Sequence, residues 1–209
     1  MADCSLLFTG FEPFGGDSFN PSAALVRRLH GTLLNGGVRV HALVLPVSGP
    51  AAWQKLSRVI RRLQPRWIVA TGVSGRCELS LETTAWNEDD FGIPDNAGRQ
   101  PRSALILTRG PGSLESSPAV RLDPETFAGS SLPIRQSTDP GRFVCNHLYY
   151  RLLHLTRRPS HPAHQRAVFL HLPASPEMQR GNDDARFFFP LDTLAPLVLR
   201  ILIGVVSCP

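Results

Sequence analysis

Apolar residues recur along this chain in two rhythms. Leu6–Thr9 is a short block, apolar on both faces, and Val38–Leu45, Trp67–Thr71 and Ala167–Leu172 follow as further compact apolar runs. Such runs, bounded by glycine, proline or polar residues, predict strands buried in a sheet. Between them the apolar positions fall at helical spacing. Leu25, Leu29 and Leu33 share one face, and the sequence predicts that this helix starts at Asn20-Pro21 and ends at Gly36-Gly37. Asparagine suits an N-cap, proline the first helical position, and glycine the residue past a C-terminus. Ala51–Leu63 reads as a second helix that stops before Pro65, and Leu191–Val206 as a last one. Leu148, Leu152 and Leu155 mark one more, in the stretch Gly141–Arg158.

Strand–helix–strand–helix–strand order implies right-handed crossovers and a parallel sheet flanked by helices, an α/β class. Beyond Trp67–Thr71, which Gly72 and Gly75 close, the pattern weakens. Leu79–Asn87 reads as one extended run, Asp89–Gly98 as a polar loop, and Arg109–Pro118 as a Gly/Pro/Ser-rich loop. Asp123-Pro124 suits a short helix cap, Leu132–Arg135 a strand, and Pro173–Arg186 a long polar loop past the late strand. No repeat or domain boundary interrupts the 209 residues, so a single domain over 1–209 is expected.

Charge changes this picture little. The net charge of +5 comes from arginines scattered over the expected helices, without the aromatic interleaving of a nucleic-acid face, so no nucleic-acid partner is expected. The N-terminal run lacks the basic start and longer apolar core of a signal peptide. The apolar C-terminal run, broken by Pro196 and Arg200, is too short to span a bilayer. A reducing cytoplasm and no membrane are the expectation. There Cys4, Cys77, Cys145 and Cys208, which form no C-x-x-C, would be free thiols.

Cys145 stands at an expected loop-to-helix junction, where the positive end of the helix dipole would stabilise a thiolate and make it a nucleophile. A lone cysteine is more often buried and inert, so its neighbours decide. Ligands of open α/β sheets bind at the carboxyl ends of strands. That rule selects the Phe11–Gly16 loop, the Gly72–Gly75 turn, the segment before Cys145 and the end of Ala167–Leu172, where His171 stands. A thiol needs a base, and His171 is the candidate. His147 is nearer in sequence, but positions two apart on a helix face different ways. His161 and His164 lie in a Pro-rich segment with no further ligand residue and are read as surface loop, so no metal site is expected. An acidic orienter could be Glu78, Glu82, Glu88, Asp89, Asp90 or Asp95. Glu82 is the odd one, set inside an apolar extended run. Phe11 and Phe14 either cover one end of the core or form an apolar slot for a flat ring. In the second case Gly15 and Gly16 would let backbone approach the ligand. No P-loop, G-x-S-x-G elbow or H-E-x-x-H is present.

Four stretches, in order, resemble the pyroglutamyl peptidase I (pyrrolidone-carboxylate peptidase) family. They are LLFTGFEPFGG with Asn20-Pro21-Ser22; Leu81–Asn87 with Ile93-Pro94-Asp95-Asn96; Gly141–His147; and Phe169–Pro173. The resemblance implies an α/β/α sandwich around a twisted, mixed, mostly parallel sheet. It also implies a Cys145–His171–Glu82 triad of nucleophile, base and orienter, and a lactam pocket at Phe11 and Phe14. The implied activity is removal of an N-terminal pyroglutamyl residue from peptides, without metal or cofactor, in a cytosolic homotetramer. The chain departs from the family pattern at Thr71–Arg76, which lacks a glutamine common in bacterial members, and at Ser137–Pro140. These differences bear on the pocket rather than on the reaction type. The competing readings are a non-catalytic peptide-binding relative and another hydrolase or a phosphorylase on the same scaffold.

Overall fold

A computed structural model describes residues 5–116, 130, 132–158, 165–178 and 188–207. The first strands and helices follow the expected order: β1 (Ser5–Phe11), α1 (Pro21–Arg28), β2 (Arg39–Leu45), α2 (Gly49–Leu63) and β3 (Trp67–Val73). Then come β4 (Leu79–Glu82), β5 (Thr84–Trp86), β6 (Ser113–Glu115), β7 (Ile134–Ser137), α3 (Val144–Thr156), β8 (Arg166–Leu172) and α4 (Leu191–Ser207). Six strands form one sheet in the order β2-β1-β3-β8-β4-β7. All neighbours are parallel except β4 and β8, which are antiparallel, so the sheet is mixed and mostly parallel.

Strand side chains alternate between the two faces, and each face has its own core. Leu6, Phe8, Trp67, Val69, Leu79, Leu81, Val168, Leu170 and Leu172 pack with α1 and α4. Leu7, Ile68, Ala70, Ala167 and Phe169 pack with α2 and α3 on the other side. The same alternation places Gly72, His171 and Glu82 on the α2/α3 face. Burial of both faces is what makes the strands read as continuous apolar runs.

Three expectations are corrected. The first helix ends at Arg28, not at Gly36-Gly37. Beyond Leu29 the chain turns back, bonding Gly31 N–H to Val40 O and Val40 N–H to Thr32 O. Leu33 is left 61% exposed, so its helical spacing from Leu29 was accidental. Leu79–Asn87 is not one strand. The Thr83 N–H and hydroxyl both bond Ser137 O, at 2.7 and 3.0 Å, and its carbonyl accepts from Ser116 N–H. The chain leaves the main sheet there, and β5 pairs instead with β6, inside the segment expected to be loop. The strand expected over Leu132–Arg135 lies at Ile134–Ser137. The expected cap at Asp123-Pro124 and most of the loop Pro173–Arg186 lie outside the described residues, as do Cys4, Cys208, His161 and His164. Cys77 and Cys145 are free. No helix among the described residues is long and apolar enough to cross a membrane.

The start of α1 is as expected. The Asn20 side chain accepts from Ser22 N–H, and Pro21 opens the helix. This helix start lies directly on β1: a methyl group at Gly10 would collide with the Ser22 backbone carbonyl. Gly10→Ala should therefore lower the unfolding free energy by about 1–3 kcal/mol, read by denaturant titration. Gly204 in α4 faces open space. Gly204→Ala should raise the same quantity by about 0.5–1 kcal/mol.

Candidate active site

The carboxyl ends of β1, β3 and β8 point the same way, and a cavity of about 300 Å³ opens there. Phe11 ends β1, Val73 ends β3, and His171 is the penultimate residue of β8; all three line the cavity. Phe14, Phe143, Gly141 and Cys145 complete much of its wall. The volume is at the small end of ligand pockets, suited to one ring rather than an extended chain.

His171 is held by register. It lies opposite Gly72 on β3 and Ser80 on β4, and Phe169 lies opposite Glu82. Glu82 is therefore one same-face step deeper in the sheet than His171. It is fully buried, and its Oε1 lies 2.7 Å from His171 Nδ1. This bond fixes the imidazole and leaves the opposite nitrogen, Nε2, for the cavity side.

Cys145 is the second residue of α3. Its sulfur sits over Gly72, where any Cβ would be 2.5 Å from Sγ. Since Gly72 pairs with His171, the thiol and the imidazole occupy neighbouring positions on one face of the sheet, both open to the cavity. The helix is pinned on both sides of the sulfur. Asn146 accepts from Trp86 N–H and donates to Trp86 O and Glu88 O. Tyr149, one turn after Cys145, donates its hydroxyl to Glu82 O at 2.9 Å. His147 faces elsewhere, as its position implies. Its Nδ1 is 2.8 Å from Asp89, and its ring packs on Gly49 at the start of α2.

The expectation of a preformed thiolate is not met. Burial, and then the charge of Glu82, push the Cys145 thiol up to about 12, against the help of its own helix N–H. Low-dielectric surroundings and a nearby carboxylate outweigh the helix end. The sulfur therefore rests as a neutral thiol whose ionisation needs a local proton acceptor.

The aromatic loop is tightly built. Phe11 is buried and Phe14 half-buried, and Phe14 meets Phe143 with ring centroids 5.9 Å apart. Phe143 in turn packs on Phe91 at 4.6 Å. Glu12 accepts from Val47 N–H and from the Asn96 side chain, which also donates to Pro13 O. Gly15 and Gly16, with φ of 66° and 89°, turn this loop; they are exposed and are not among the residues lining the cavity.

Two contributors were not singled out from sequence. Phe143 adds a third ring to the pocket. Arg76 leans into the site from the β3–β4 turn and bonds Glu82 Oε1 at 3.0 Å. The available signal was an arginine in a Gly/Ser turn shortly before Glu82. Among the described residues no group of three His, Cys, Asp or Glu side chains could hold a metal ion.

Known proteins resemble this chain over most of its length. The pyroglutamyl peptidase family matches residues 4–205. A pyrrolidone-carboxylate peptidase of Vibrio parahaemolyticus is 39% identical over 82% of this chain and 79% of its own. One from Chromobacterium violaceum is 39% identical over 94% and 90%. Among solved structures, pyroglutamyl peptidase I of Bacillus amyloliquefaciens superposes with a TM-score of 0.86 at 30% identity, covering 98% of this chain and 97% of that one. The pyrrolidone carboxyl peptidase of Thermococcus litoralis gives a TM-score of 0.88 at 27% identity, over 98% and 94%. With the family matched over residues 4–205 and the fold shared along nearly the whole chain, this chain belongs to the pyroglutamyl peptidase family.

Proposed function

We propose that this chain is a cysteine exopeptidase that removes an N-terminal pyroglutamyl residue from peptides, with Cys145 as nucleophile, His171 as base and Glu82 as orienter. The observation that carries the assignment is the buried Glu82–His171 bond directed at a cavity that also holds the Cys145 sulfur. Family membership supports the reaction type.

Pyroglutamate presents a neutral lactam and no free amine. An aminopeptidase needs a carboxylate to anchor its substrate's ammonium. Among the described residues, no Asp or Glu lines this cavity, and three phenylalanines do. Phe11, Phe14 and Phe143 would enclose the lactam, and backbone groups would hydrogen-bond its amide. A neutral thiol must give up its proton as it attacks, so His171 Nε2 takes that proton and the sulfur adds to the carbonyl carbon. The oxyanion is met by backbone N–H groups, that of Cys145 at its helix start and one from the Phe14–Gly16 loop. The tetrahedral intermediate collapses, His171 protonates the departing amine, and the pyroglutamyl group is left as a thioester. Water, deprotonated by the same imidazole, then hydrolyses the thioester and restores the thiol. Glu82 holds the tautomer and stabilises the imidazolium formed in both halves.

The domain is proposed to act as one catalytic unit in a reducing compartment, the cytoplasm, without cofactor. Homotetramer assembly, implied by the family resemblance, is read by sedimentation.

Turnover of a pyroglutamyl-arylamide is the direct test. Cys145→Ala should lower it by on the order of 10⁴-fold or more with an unchanged circular dichroism spectrum; a near-normal rate would eliminate the nucleophile assignment. Glu82→Gln should cost clearly less than Cys145→Ala. Iodoacetamide should inactivate the enzyme and a chelator should not. Inactivation by the chelator would place a metal in the reaction. Gly72→Ala should displace the sulfur and depress kcat much more than KM, measured on the same substrate.

A further inference from the structure

Glu82 is an acidic side chain set in a place that disfavours charge. It is fully buried, and its Oε2 has no hydrogen-bond partner among the described residues. Burying a carboxylate costs several kcal/mol or so unless a counter-charge compensates. His171 cannot supply that charge in the resting enzyme, because a base must start neutral. Among the described residues, the groups that face Glu82 are His171 from β8, Arg76 from the β3–β4 turn, and Cys145 and Tyr149 from α3. Arg76 is the one permanent cation among them. Its Nη1 donates to the same Oε1 that bonds His171, so charge and tautomer control converge on one oxygen atom.

Arg76 also reaches the other half of the site. Nη1 donates to Ser137 Oγ at 3.0 Å, and Nη2 donates to Asp139 O. Ser137–Pro140 leads directly into the segment that carries Cys145. The Asp139 carboxylate accepts from Gly141 N–H at 3.1 Å and from Arg142 at 2.7 Å, which shapes that segment in turn. Burial alone would raise the Asp139 carboxyl, but the bonds from Arg142 and Gly141, with the charges of Arg142 and Arg76, hold it below its ordinary range.

Resting on the triad reading above, we propose that Arg76 is a positioning residue of the hydrolysis. It sets a fixed positive charge on the carboxylate oxygen that bonds His171, and it ties that pair to the loop that presents Cys145. Lysine could supply the charge. Only the guanidinium fork can hold Glu82, Ser137 and Asp139 together.

The roles separate in the pH dependence of kcat/KM. Removing a fixed positive charge makes both Glu82 and His171 easier to protonate, and the coupled pair then needs higher pH to reach the active form. For Arg76→Met the acidic limb should move up by about one unit. At the plateau kcat should fall by about tenfold to a hundredfold. Arg76→Lys should keep the limb near its wild-type position yet lose part of kcat. Where the methionine variant does not fold, Arg76→Gln, which keeps hydrogen bonds and drops the charge, should move the limb the same way. An unmoved limb in the folded uncharged variant overturns the proposal, whether the change falls on KM, as for a substrate contact, or on Tm, as for a structural contact. Wild-type kcat and limb in Arg76→Lys overturn the clamp. Cys145→Ala, measured alongside, separates this from the triad itself: an active Cys145→Ala removes the triad, whatever Arg76 does.

Discussion

The hydrogen bond between Glu82 and His171 is the constraint around which the rest of the site is arranged. It joins two strands that run in opposite directions, and it exists because the β4–β8 register places Glu82 one same-face step below the histidine. A bond of this kind gains strength from its dry surroundings and is costly to leave half-made. Much of the neighbourhood serves to keep it whole. Tyr149 holds the Glu82 backbone, and Arg76 faces its carboxylate.

Helix α3 is the second device, and its job is placement more than ionisation. The helix end does favour a thiolate, but burial and the glutamate charge prevail, so the thiol waits in its neutral form. An unreactive resting sulfur is compatible with catalysis when a base stands beside it. Placement is then everything, and α3 is secured along its length: Asn146 to β5, His147 to Asp89, and Tyr149 to β4. Gly72 completes the arrangement by omission, since the space a side chain would take is filled by the sulfur.

Much of this was legible in the linear pattern because the residues involved obey local rules. Asn20-Pro21 capped a helix, the buried strands read as apolar runs, the helix start singled out Cys145, and the strand-end rule selected the segment before it, His171 and the Phe11–Gly16 loop without reference to any relative. The failures also have local causes. Leu33 shared a helical spacing with Leu29 by chance, and nothing in the sequence announced that the chain turns back at Gly31. Thr83 looks like any strand residue; it becomes a break only because Ser137, distant in sequence, offers it an acceptor. Arg76 was not singled out, since the buried carboxylate it meets is visible only once β4 is in the sheet.

The sequence by itself determined the α/β class, the positions of the principal strands and helices, and the chemical types at the site. These follow from periodicity and from residue chemistry, both of which are local. Tertiary structure alone decided that the Glu82 carboxylate meets the His171 ring, where the extended run divides, and that burial and the glutamate charge outweigh the helix end at the sulfur. Each of those depends on the register between strands far apart in the chain and on the dielectric and charges that folding assembles around one atom, and neither is encoded in any single segment.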